Sequence, residues 1–172
     1  MVVSLFVENV LNSVTNQVTY DSETGGRTTM PVNLNGNWRA SGALSLSGPF
    51  KNRNWLFRTY SYLQYRNQNG YTTQNKEEPM KSSVKHLTAR ERLQFTFRTR
   101  QLELSARGEV LYNNSYNNVK DMRTETFDYQ LGGDLQYYLP WGFECSSDLT
   151  YFLRTGYGYD SSGRKNLIWN CQ

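Results

Sequence analysis

The sequence predicts an all-β fold, an antiparallel up-and-down transmembrane β-barrel of about eight long strands, and three observations carry that expectation. The first is alternation. From Phe127 to Leu139 the odd positions read Phe, Tyr, Leu, Gly, Leu, Tyr, Leu, and the even ones read Asp, Gln, Gly, Asp, Gln, Tyr. Side chains of a strand point to opposite faces in turn, so such a segment is a ribbon with one oily and one water-loving side. The second is length. A tilted strand that crosses a bilayer needs about 9 to 11 residues, against roughly 5 or 6 for strands of ordinary soluble sheets. The third is the connections, which alternate between tight turns (Gly48 to Asn54, Thr99 to Gln101, Pro140 to Gly142) and longer polar loops (Gln68 to Ser82, Asn114 to Arg123, Gly158 to Lys165, with Asp21 to Gly26 a shorter member). Outer-membrane barrels have short turns at one end and long loops at the other.

Taken in order, the expected strands are 13–20, 28–47, 55–67, 83–98, 102–113, 124–139, 143–157 and 165–172. In 28–47 the even positions from Met30 through Val32, Leu34, Trp38 and Leu44 to Leu46 keep one parity over an unusually long run. Strand 55–67 is marked by its aromatics, with Trp55, Phe57, Tyr60, Tyr62 and Tyr65 near its ends. In 83–98 Leu87, Ala89, Leu93, Phe95 and Phe97 alternate with Thr88, Arg90, Arg92, Gln94 and Thr96, and Glu91 is the exception on the apolar side. The return strand sets Leu102, Leu104, Ala106, Val110 and Tyr112 against Glu103, Ser105, Arg107 and Glu109. In 143–157 Phe143, Cys145, Leu149, Tyr151, Leu153 and Tyr157 oppose Glu144, Ser146, Asp148, Thr150 and Arg154, and Phe152 interrupts the polar face.

Alternation alone does not say which face meets water, because a soluble barrel or sandwich shows the same period. Three features favour apolar side chains outside: the long strands, the mid-strand charges on the polar parity (Arg39, Arg90, Arg92, Arg107, Glu103, Glu109, Asp134, Asp148, Arg154), and aromatic pairs near strand ends. Those pairs include Tyr137 with Tyr138, Trp141 with Phe143 and Tyr157 with Tyr159, as the headgroup zone favours half-buried rings.

The composition agrees. Over 172 residues the hydrophobic share is 37% and the aromatic share 15%, with 13 Tyr; mean hydropathy is -0.73. Ile168 is the one isoleucine, whereas soluble β cores lean on Val and Ile. A net charge of +4 with no basic stripe argues against a nucleic-acid partner. No run of about 18 apolar residues occurs, which excludes a membrane helix and leaves a membrane barrel open. Residues 1–12 are assigned to no element, and 13–172 form the expected barrel portion. Met1 to Val10 carries Glu8 and makes a poor secretory signal, so an exported protein is expected to have further chain ahead of this sequence.

The stretch Tyr20-Asp21-Ser22-Glu23-Thr24-Gly25-Gly26-Arg27-Thr28-Thr29 followed by Asn33-Leu34-Asn35-Gly36-Asn37-Trp38 resembles the outer membrane β-barrel family of Gram-negative bacteria related to TonB-dependent receptors. Tyr138-Leu139-Pro140, Ser147-Asp148-Leu149-Thr150-Tyr151 and Leu167-Ile168-Trp169-Asn170 match it too. The resemblance implies an interior fragment of a large barrel in the cell outer membrane, serving uptake or binding of an unidentified nutrient. Its partners would be the lipid bilayer and, through amino-terminal regions not recognisable here, the TonB system. Two alternatives stay open: a complete small eight-stranded structural or adhesive barrel, and a soluble β-barrel binding module.

No catalytic, cofactor-binding or metal site is expected, and no enzyme activity. His86 is the lone histidine, and nothing in the sequence brings it near Asp148 and a serine. The stretches Asn67 to Tyr71 and Asn113 to Asn118 read as strand reversals or solvated loops. With the last hairpin turning near Ser161, Cys171 falls opposite Tyr151, about 20 Å from Cys145, so the two cysteines read as small hydrophobes. The arginines of the polar parity either select anions or pair with Glu103, Glu109, Asp134 and Asp148, and pairing is the default.

Overall fold

The computed structural model describes residues 1–21, 23–49, 53–72, 79–158 and 164–172. They form strands and no helix: β1 (Val2–Val10), β2 (Ser13–Tyr20), β3 (Arg27–Leu34), β4 (Asn37–Pro49), β5 (Trp55–Thr72), β6 (Met80–Arg98), β7 (Leu102–Asn117), β8 (Met122–Tyr138), β9 (Glu144–Thr155) and β10 (Arg164–Cys171). Eight of them make one sheet in the order β1-β4-β5-β6-β7-β8-β9-β10, and β2 with β3 makes a separate hairpin. Every pairing is antiparallel. From β4 onward each strand lies beside the next in sequence, the meander that the alternating turns predict.

The all-β, antiparallel, up-and-down expectation therefore holds. Closure into a barrel is not seen, since β1 and β10 each have a single neighbour and the sheet keeps two edges among the described residues.

Several expectations are corrected. Segment 1–12, assigned to no element, holds β1, which pairs with β4 from Val2 opposite Ser45 to Val10 opposite Asn37. The single strand expected over 28–47 is two strands that belong to different sheets. The chain breaks at Asn35 and Gly36, where Gly36 adopts φ +95°, a backbone state that residues with a Cβ rarely reach. Parity carries across this break unchanged, which is why alternation alone did not reveal it.

Asn67 to Tyr71 is not a reversal. It lies inside β5, with Asn69 opposite Ser83 and Gly70 opposite Ser82 of β6. Asn113 to Asn117 likewise belongs to β7, and the long loop expected over 114–123 shrinks to the turn Asn118 to Asp121. Asn-rich sequence reads as turn, yet here side-chain amides bond across neighbouring strands and keep the ladder running. Strands β5, β6, β7 and β8 thus reach 18, 19, 16 and 17 residues, well beyond what a bilayer crossing needs.

The last hairpin differs by register. Cys171 pairs with Ser147, and Tyr151 with Leu167. Cys145 and Cys171 are therefore diagonal neighbours on one face, about 7 Å apart by sheet geometry rather than 20 Å, and both are free thiols. The expected turn at Ser161, Tyr159 of the aromatic pairs, Ser22, residues 50–52 of the first tight turn and 73–78 of the polar loop lie outside the described residues.

Candidate functional site: the two faces of the sheet

The register sorts side chains onto two faces. Odd residues of β1, β5, β6, β8, β9 and β10 share a face with even residues of β4 and β7. One row across it reads Leu46, Thr59, Leu93, Gly108, Leu131, Tyr151, Leu167, and the next reads Gly48, Phe57, Phe95, Ala106, Gly133, Leu149, Trp169. This apolar band runs through all eight strands.

Nothing covers it. Leu5, Leu63, Leu131 and Leu167 are 83%, 55%, 61% and 66% exposed, and Leu93, Phe95, Leu104, Leu135 and Leu149 all fall between 38% and 46%. The buried polar residues Ser82, Thr96, Thr126 and Thr150 sit instead on the opposite face. Burial is inverted relative to a soluble sheet, which hides its apolar side. Leu34, on the separate hairpin, is the buried hydrophobic side chain among the described residues.

The band is bounded. On β7 it runs from Leu102 to Tyr112, about 34 Å along a strand at about 3.4 Å per residue and about 26 Å tall at a tilt of about 40°. Beyond Tyr112 the same face turns polar: Asn114 donates to Glu125 at 2.9 Å, and Arg123 meets Glu125 at 2.8 Å. Aromatic pairs mark both margins. Trp55 with Phe97 (4.8 Å between ring centres) and Phe57 with Phe95 (5.1 Å) lie at the short-turn end. Trp38 with Tyr65 (5.2 Å) and Tyr112 with Phe127 (4.7 Å) lie at the other. Tyr60, Tyr62 and Tyr138, grouped with these girdles by sequence, face the polar side instead, because they carry the opposite parity.

The polar face holds the ion pairs. Arg107 spans two strands, donating from Nη1 to both Asp134 oxygens (3.1 and 3.0 Å) and from Nη2 to Asp148 Oδ2 and Thr150 Oγ1 (each 3.0 Å). Asn170 adds a donor to Asp148 at 3.1 Å. Arg92 Nε donates to Glu109 at 2.7 Å, Arg98 Nε to Glu103 at 2.7 Å, and Arg154 lies 3.8 Å from Asp128. Arg39 and Arg90 approach Glu8 and Glu109 at 2.9 and 3.2 Å off the hydrogen-bond line, and Arg39 also rests over the Phe6 ring. Grooves of about 610, 420, 290 and 160 Å³ open on this face.

At the end away from the short turns, asparagines tie the β2–β3 hairpin to the sheet. The Asn69 backbone amide donates to Asn37 Oδ1 (2.6 Å) and its Nδ2 donates to Asn35 O (3.0 Å), while Asn67 Nδ2 donates to Gly36 O (2.8 Å). Ser83 Oγ donates to Asn67 Oδ1 (2.9 Å), and the Ser83 amide donates to Asn118 Oδ1 (2.7 Å). Amide side chains do this because each offers donors and an acceptor together. Sequence reading missed this network by treating the asparagines as turn formers.

His86 and Asp148 do not meet. Three strands and about ten residues of register separate them, roughly 35 Å, which removes the Ser/His/Asp arrangement built on these two residues. No His, Cys, Asp and Glu group suited to a metal occurs among the described residues. No family model matches the chain, and neither does any curated protein or solved structure.

Proposed function

We propose that this chain is a section of wall in an outer-membrane β-barrel of the kind related to TonB-dependent receptors, with the apolar band against lipid and the polar face toward a lumen. The single observation that carries the lipid assignment is the inverted burial: leucines and tryptophans lie bare in a band about 26 Å tall, while the buried side chains of the eight-stranded sheet among the described residues, Ser82, Thr96, Thr126 and Thr150, lie on the other side. In water such a band would be an aggregation surface; against acyl chains it is the favourable face. The two free edges support the same reading, since unpaired backbone groups in hydrocarbon cost several kcal/mol each and require neighbouring strands. The placement among nutrient-uptake receptors rests on the sequence resemblance. In this role the wall is passive, and Arg107, Glu109 and their partners hold its strands together.

The test is lipid contact. Trp38, Trp55 and Trp169 lie on the band, so vesicles carrying doxyl-labelled acyl chains should quench the fluorescence of the inserted protein. A chain that stays monomeric in detergent-free buffer with unquenched tryptophans overturns the proposal.

A further inference from the structure

We infer that the polar face over β4, β5 and β6 carries a groove for a small oxyanion ligand, a carboxylate or phosphate ester, with Arg58 as its binding fork. The inference rests on the reading of this face as a lumen wall and adds to it the chemistry of what is bound there.

Acid on the polar face is confined to strands that flank β4, β5 and β6. Strands β4, β5 and β6 contribute Arg39, Arg58, Arg66, Arg90, Arg92 and Arg98 and no acidic residue. The acids Glu103, Glu109, Asp128, Asp134, Glu144 and Asp148 all come from β7, β8 and β9. Flanking strands neutralise most of the basic half: Glu8 of β1 meets Arg39, Glu109 serves both Arg90 and Arg92, and Glu103 holds Arg98. Arg66, which stands opposite Arg39 and His86, and Arg58 are out of their reach, and of the two it is Arg58 that lines a groove. The cross-strand neighbours of Arg58 are Ser47 and Gln94, and none of the ion pairs among the described residues includes it.

Arg58 is also placed in a concavity. A groove of about 420 Å³ is lined by Ser45, Ser47, Arg58, Tyr60, Arg92 and Gln94. That volume suits a small molecule. An exposed guanidinium presents a planar fork matched to two oxygens of a carboxylate or phosphate. Arg92 supplies a second positive charge, partly offset by Glu109, and the serine hydroxyls and Gln94 amide supply neutral donors beside it. Mere solubility of a lumen wall does not require acids to be absent from the polar face of three adjacent strands, whereas an anion site does, since each neighbouring carboxylate would compete for the fork.

Inorganic phosphate and citrate are the probes, titrated by calorimetry into the full chain in detergent micelles, at low and at physiological ionic strength. Saturable binding of either probe that weakens with salt is expected. Arg58→Gln should weaken it about tenfold or more, and Arg98→Gln, at a paired arginine outside the groove, should leave it unchanged. Ser47→Glu sets an acid directly opposite Arg58 without removing it and should abolish binding, which decides the matter where the arginine variant fails to fold. Absence of saturable binding, or equal loss in the Arg58 and Arg98 variants, overturns the inference. Saturable binding without lipid quenching of the tryptophans leaves the groove standing and overturns the membrane reading; quenching without binding does the reverse.

Discussion

Arg107 stands directly opposite Gly132, and a Cβ at position 132 would come within 2.6 Å of the Arg107 Nε. The arginine lies across strand β8 at its glycine and so reaches Asp148 and Thr150 on β9. Gly132→Val should lift the side chain and break the three-strand clamp. Because these side chains are about one-third exposed, the loss should be moderate, about 1–3 kcal/mol. Urea unfolding in detergent measures it, and in an Arg107→Met background the glycine substitution should lose most of its effect.

The asparagine network predicts a local effect rather than a global one. Gly36 sits at φ +95°, and a Cβ there would lie 2.5 Å from Asn69 Nδ2. Gly36→Ala and Asn69→Ala should each release the β2–β3 hairpin from β5 while leaving the eight-stranded sheet paired. Amide exchange should rise about tenfold or more across 13–34 and stay constant in β7 and β8, given about 1 kcal/mol or more per lost bond. Uniform acceleration across the sheet would contradict this.

Much of the fold was legible because period-two patterning is a local property. Residues 102–112 and 127–137 place Leu104 and Leu135, and Arg107 and Asp134, on opposite faces from sequence alone, and the register confirms each face. What failed were boundaries and partners. Gly36 breaks a run whose parity continues through it, and Asn69 and Asn113 bond across strands where their type suggests turns. The Arg107 clamp depends on Gly132 being opposite it, and that relation between strands 25 residues apart in sequence has no local sign. The even parity of Arg58 sets it on the polar face, but that Ser47 and Gln94 rather than an acid lie opposite it depends on register, which no local pattern carries.

The hairpin tip should respond to acid. Thr24 Oγ1 donates to Asp21 Oδ2 at 2.7 Å, and the Glu23 and Thr24 amides donate to Oδ1 at 2.8 and 3.3 Å. These bonds, the Thr24 hydroxyl first, hold the Asp21 carboxyl below its ordinary value of 3.8. A carboxylate depressed in the folded state contributes order above its unfolded pKa and loses that contribution as pH falls through the folded one. Amide exchange at Glu23 and Thr24 should therefore be slow above about pH 4 and, after correction for intrinsic exchange, should accelerate below it. Asp21→Asn should remove the pH dependence.

Two substitutions on the apolar face separate lipid from water as its surroundings. Leu131 is 61% exposed in the middle of the band, between Gly108 and Tyr151. On a sheet bathed in water, Leu131→Arg would replace a bare hydrocarbon by a charge and improve solubility. Against acyl chains near the midplane, the same change should weaken insertion by about 2–4 kcal/mol. Glu91 supplies the opposite case. It is the acid set among Ala89, Leu93 and Val110 on the band, with Thr59 Oγ1 donating to it at 2.7 Å. Glu91→Leu should strengthen insertion, by less than the arginine figure of about 2–4 kcal/mol because carboxylates are tolerated better there. Urea-dependent partitioning from phosphatidylcholine vesicles reads both. Opposite signs, loss for Leu131→Arg and gain for Glu91→Leu, are required by a lipid-facing band; a gain in soluble yield for Leu131→Arg with no change in partitioning would place water there instead.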